Sequence, residues 1–79
     1  MRRYLTEYRW ITPTDRIIAL LERGDMVRYE GVVTSIVDLR RDALGTPYLS
    51  LANGADVPVG EVEVFEGHYT ARTAARLSA

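Results

Sequence analysis

Four carboxylates, Asp56, Glu61, Glu63 and Glu66, fall close together in the chain, and its one imidazole, His68, follows them. Two carboxyls held at a fixed separation around a substrate act as general acid and base. Several oxygens converging on one point hold a divalent cation. The spacing argues for neither. Glu61 and Glu63 alternate with Val62 and Val64, and on a strand that alternation puts the glutamates on the wet face. There they also discourage the pairing of an exposed edge with other chains. His68 needs a hydroxyl or thiol beside it for nucleophilic catalysis. The chain has no Cys, and Ser35, Ser50 and Ser78 lie in no Gly-x-Ser-x-Gly elbow. "ALGTP" and "GADVPVG" contain neither a Gly-Lys-Ser/Thr nor a Gly-x-Gly-x-x-Gly, so no phosphate loop is expected. No catalytic residue, cofactor or metal site is therefore predicted.

The second set of reactive types is Arg with aromatics. Arg2, Arg3, Tyr4, Tyr8, Arg9 and Trp10 cluster at the N-terminus, and Arg40 and Arg41 stand together later. Arg, Tyr and Trp are enriched at binding hot spots, and the same types suit single-stranded nucleic acid. Trp10 is assigned to the core, which needs its large aromatics in a chain with one Trp and one Phe. The interaction candidates are thus Arg2, Arg3, Tyr4, Tyr8, Arg9, Arg40 and Arg41.

The elements that would position these groups can be read from the pattern. "RYLTEYRWIT", residues 3–12, is rich in β-formers and reads as a strand. "TPTD" is a helix start, with Thr12 or Thr14 as cap, Pro13 in the first turn and Asp15 near the positive end of the dipole. Ile17, Ile18, Leu20 and Leu21 follow at helical spacing, and Arg23-Gly24 is a stop signal. A helix over residues 13–23 is expected. "MVRYEGVVTSIVDL" reads as one long strand or two joined ones, with Gly31 marking a bulge or sharp bend. "RRDALGTP" is a loop. "YLSL" is a strand, Asn53-Gly54 a hairpin turn, and Pro58 marks an edge or irregular strand. At Gly60 the buried parity passes from Val57 and Val59 to Val62 and Val64, which implies a bulge or tight turn. Residues 69–79 form a short helix or a frayed tail.

"GDMVRYEG", "VVTSIVDL", and "PYLSLANGADVPV" followed by "EVEVF" together resemble the small bent barrels of the Tudor, KOW and Sm-like families over residues 24–65. The resemblance implies a five-stranded barrel that binds peptides or nucleic acid.

With 79 residues the chain is one small domain, residues 1–79. A chain this size buries only about 60% of its unfolded surface. With no Cys for a disulfide, association with another subunit is the remaining support. The net charge of −1 excludes a whole-molecule field for nucleic acid. The charge is uneven: residues 1–16 carry four Arg against two acids, residues 17–66 four Arg against nine acids, and residues 67–79 two Arg and no acid. All ten basic residues are Arg, which suggests a GC-rich source such as a bacterium or its phage. No apolar run approaches the ~20 residues of a membrane span, and no signal peptide is read at the start, so a cytoplasmic protein is expected.

The predicted fold is α+β: a small curved antiparallel sheet or partial barrel, one helix over residues 13–23 packed on it, and a C-terminal end that is a short helix or a frayed tail. The predicted function is a non-enzymatic interaction module, an accessory protein that binds a protein partner or itself. The second reading is a nucleic-acid-binding barrel using Arg28, Arg40 and Arg41 with Tyr29 or Tyr48.

Overall fold

Glu30 and Gly31 both hold positive φ, 51° and 81°. Two consecutive left-handed residues make the tight turn whose twist matches that of flanking antiparallel strands. In a computed structural model, which describes residues 9–78, this turn joins β2 (Met26–Tyr29) to β3 (Val32–Arg41). "MVRYEGVVTSIVDL" is therefore two strands, and Gly31 turns the chain back on itself rather than bulging one strand. The bulge lies further on, between Ile36 and Asp38, where the register with β4 (Pro47–Leu51) shifts. It lets one ten-residue strand pair with β2 by its first half and with β4 by its second.

Leu51, Ala52, Asn53 and Gly54 form the next turn, closed by the Gly54 amide on the Leu51 carbonyl at 2.9 Å, with Gly54 at φ 94°. It leads into β5 (Asp56–Pro58), the edge strand at which Pro58 lacks a ladder donor at no cost. The change of buried parity at Gly60 is a 3₁₀ turn over Val59–Glu61. β6 (Glu63–Phe65) then pairs with both β2 and β1 (Trp10–Ile11). The strand order is β1-β6-β2-β3-β4-β5, with every pairing antiparallel. The sheet does not close: β1 and β5 are its two edges, so the architecture is α+β and not a closed barrel.

The helix expected over residues 13–23 is much shorter. Thr14 is the cap, its hydroxyl accepting from the Ile17 amide at 3.3 Å, and α1 is the single turn Asp15–Ile18. Pro13 precedes the cap instead of occupying the first turn. The reason lies in the backbone accounting. The Leu20 and Leu21 amides drop to i−3 carbonyls. The Glu22 amide goes to Asp25 Oδ2 at 3.0 Å, the Gly24 amide to the Ile36 carbonyl at 2.8 Å, and the Leu20 carbonyl accepts from Arg72 at 2.6 Å. The groups a longer helix would consume are bound in tight local turns, by the Asp25 carboxylate three residues on, and by Ile36 and Arg72 far along the chain. Gly24, at φ 90°, sits in a turn closed by the Asp25 amide on the Glu22 carbonyl rather than at a helix end.

The C-terminal helix is longer than expected: α2 spans Glu66–Ser78, starting directly after β6. The core lies on the inner sheet face, where Val27, Ile36, Leu49, Leu51, Val57 and Val64 are buried. Val59 and Val62 around the 3₁₀ turn, Ile17, Leu20 and Leu21 from α1 and its following turn, and Tyr69 from α2 complete the buried cluster.

Candidate interaction surface

Strand alternation puts Val27, Val64 and Thr34 on the inner face and their neighbours on the outer one. Cross-strand partners confirm the outer set: Trp10 pairs with Phe65, and Arg28 with both Glu63 and Val33. Met26 is two residues from Arg28 on the same face. The outer face of β1, β6, β2 and β3 thus carries Trp10, Phe65, Met26 and Val33 around one Arg and one Glu. Met26 is 50% exposed and Val33 49%; the bulge turns Val37, 54% exposed, outward as well. Single exposed apolar residues are ordinary, but a contiguous set is not.

The polar pair is held in place within this set. Arg28 Nε and Nη2 both reach Glu63 Oε1 at 2.8 Å, and the guanidinium lies 5.1 Å from the Trp10 ring centroid. Trp10 meets Phe65 edge-on at 5.5 Å. Trp10 is half-buried on this outer face and does not join the core cluster, contrary to expectation. The inner face is already filled by aliphatic side chains and Tyr69, so the core has no place left for an indole.

Where this face meets α2, a groove of about 370 Å³ opens among Trp10, Phe65, Met26, Val33, His68 and Tyr69. Asp25 forms its end. The Asp25 side chain is only 7% exposed, yet it is fully partnered. It accepts from Arg72 twice, at 2.8 and 3.0 Å, from the Tyr69 hydroxyl at 2.8 Å and from the Glu22 amide at 3.0 Å. Burial pushes the carboxyl up, but these donors and the Arg72 charge outweigh it and leave Asp25 below the usual carboxylate range. Burial, then the bond and charge of Asp25, hold the Tyr69 phenol well above its ordinary value. Arg72, which can only donate, contacts His68 Nε2 at 2.8 Å. His68 therefore faces a cation rather than a hydroxyl, and the cluster works as a clasp between α2 and the turn before β2.

Three of the predicted site residues, Arg9, Arg40 and Arg41, are among the described residues. Arg2, Arg3, Tyr4 and Tyr8 lie outside the described residues. Arg9 is paired with Glu66 at 2.7 Å, and the Glu66 amide bonds the Arg9 carbonyl at 3.0 Å. Arg40 and Arg41 are not in a loop but at the end of β3, because the loop is only Asp42 to Thr46. Asp42 ties that loop, accepting from the Leu44 and Thr46 amides at 2.9 Å each. Arg40 is bound to Asp56, and Arg41 donates to the Gly45 carbonyl at 2.7 Å. Arg40 and Tyr48 are cross-strand partners, and together with Arg41 they border a smaller hollow of about 150 Å³. Glu61 and Glu63 do face away from the core, and Glu63 is half-exposed in its ion pair with Arg28. Among the described residues no group of three His, Asp or Glu is placed to hold a metal ion, and no helix is long and apolar enough to cross a membrane.

The outer-face set was missed because Met26 and Val33 were read singly. The signal was in the parity: Met26, Arg28 and Val33, Ser35 alternate with Val27 and Thr34, so both faces of this hairpin carry apolar side chains. The Asp25 clasp had a weaker signal, Tyr69 and Arg72 one helical turn apart with no acid on α2 beyond Glu66 to pair them. No protein-family model matches the chain, and no curated protein or solved structure matches it.

Proposed function

We propose that the chain is a non-enzymatic interaction module that docks a protein on the outer face of β1, β6, β2 and β3. The observation that carries this is a second apolar face on a sheet whose inner face already holds the core. An antiparallel sheet of this kind ordinarily leaves its second face polar, and contiguous exposed apolar surface marks a docking site. The composition of the face supports the same reading. Its centre holds Trp10, Phe65 and an Arg, the types that anchor interfaces. The groove beside α2 offers an indentation for an anchoring side chain.

A photo-crosslinking residue placed at Val33 tests this in the native host, with the same residue at Ala43, on the exposed far loop, as control. Protein adducts from position 33 and none from 43 are expected. Adducts in equal yield from both, or none from 33, overturn the docking face. Introducing Arg40→Ala and Arg41→Ala beside the Val33 probe is expected to leave the adducts unchanged.

A further inference from the structure

We infer that the occupant of this face is a second copy of the chain, related by a two-fold axis passing near Arg28 and Glu63. The inference rests on the docking reading above. Its own support is the charge pattern of the face. Within the apolar set stand one Arg and one Glu, and Asp25 at the groove end is neutralised by Arg72. The face carries no net charge. It offers little steering to a strongly acidic or basic partner, and two copies meeting through it do not repel.

A two-fold interface must be complementary to itself. A lone Arg or a lone Glu at the centre of the face would oppose its own kind across the axis. An Arg–Glu couple meets its opposite instead, Arg28 of one copy against Glu63 of the other. The geometry leaves room for that contact. Arg28 Nε and Nη2 converge on Glu63 Oε1, so that among the described residues Oε2 is left to accept from the second copy. The bonds to Glu63 and the nearby Trp10 ring hold the guanidinium in place before association, which reduces the ordering cost of using it. Burying Met26, Val33, Trp10 and Phe65 against a copy of themselves also adds the core that a chain of this length lacks.

The test is sedimentation equilibrium on the whole chain over a range of concentrations. Wild type is expected to show a monomer–dimer equilibrium. Arg28→Glu and Glu63→Arg each put like charges across the axis, and each is expected to raise the dimer Kd by at least ~10-fold. An equimolar mixture of the two variants restores attraction at both contacts and is expected to give a heterodimer. The doubly exchanged chain is expected to dimerise as wild type does. Thermal melts of each variant report whether it is folded. A wild type that stays monomeric at all concentrations overturns the inference, as do charge variants that dimerise like wild type or fail to complement. A monomeric wild type together with capture of a different protein from Val33 rejects the second copy and leaves the docking face standing. The absence of both rejects both.

Discussion

Removing the Asp25 carboxylate strands three donors at once: the Glu22 amide, the Tyr69 hydroxyl and the Arg72 guanidinium. Deleting one side of a buried ion pair leaves an uncompensated charge. Asp25→Ala is expected to lower the unfolding free energy by about 3 kcal/mol, read from urea denaturation. Tyr69→Phe deletes one of several bonds to the same carboxylate and is expected to cost about 1 kcal/mol. The two groups also contribute to the pH dependence of stability. The folded-state pKa of Asp25 lies below its unfolded value. Its contribution is therefore complete above about pH 4 and lost as pH falls through the folded pKa. The folded-state pKa of Tyr69 lies above its unfolded value. Its contribution is complete below about pH 10 and lost as pH rises beyond that. Urea melts across pH should show decline on both sides, with Asp25→Asn flattening the acid limb and Tyr69→Phe the alkaline one.

The turn between β2 and β3 places Glu30 at φ 51°, where a side chain that cannot bond locally is strained. Asn tolerates this conformation, and Asn-Gly is the favoured pair for such a turn. Glu30→Asn is expected to stabilise the chain by roughly 0.5–1 kcal/mol, measured as a raised urea midpoint with unchanged m. α2 gives a contrast along one helix. Arg72 is largely buried against Asp25, while Arg76 meets Glu22 at 3.1 Å with both side chains about half exposed. Arg76→Ala should therefore change stability by under about 0.5 kcal/mol, whereas Arg72→Ala should approach the effect of losing Asp25 itself. The strands and turns after residue 25 were largely legible because alternation, Asn53-Gly54, Pro58 and the Gly60 parity change are local signals, whereas the C-terminal helix was legible only as an alternative to a frayed tail. The shortened α1 was not. Ile17, Ile18, Leu20 and Leu21 do face the core at helical spacing, but the Gly24 amide is taken by the distant Ile36 and the Glu22 amide by an Asp25 carboxylate that Tyr69 and Arg72 of α2 hold in place, and no local pattern announces those partners. The two-faced hairpin was hidden for a related reason. One exposed Val means nothing alone, and only the register of three strands gathers Met26, Val33, Phe65 and Trp10 into a surface.

Among the described residues, much of the uneven charge of the sequence is paired within the fold. Arg9 from the basic start reaches Glu66, and Arg72 and Arg76 from the basic end reach Asp25 and Glu22. In the acidic middle, Arg23 meets Asp38, Arg28 meets Glu63 and Arg40 meets Asp56. Of the arginines that look like two basic patches in the sequence, Arg9 and Arg40 are each opposed by a carboxylate in the fold, which linear charge counting does not reveal. The consequence bears on the nucleic-acid reading. A phosphate that binds Arg28 or Arg40 meets the carboxylate of Glu63 or Asp56 already held there, which repels it. Arg41 remains, engaged with the Gly45 carbonyl, beside Tyr48. One such cation releases about one counterion, too few to hold a strand. Fluorescence anisotropy with labelled single-stranded DNA and RNA should accordingly show no saturable binding at the lowest salt, where phosphate contacts are strongest. Glu63→Gln with Asp56→Asn should raise any residual signal by freeing the two cations. A wild-type affinity that falls steeply with salt would mean that the carboxylates yield to phosphate, and would move the functional face from the apolar outer sheet to the Arg40–Tyr48 end of β3 and β4.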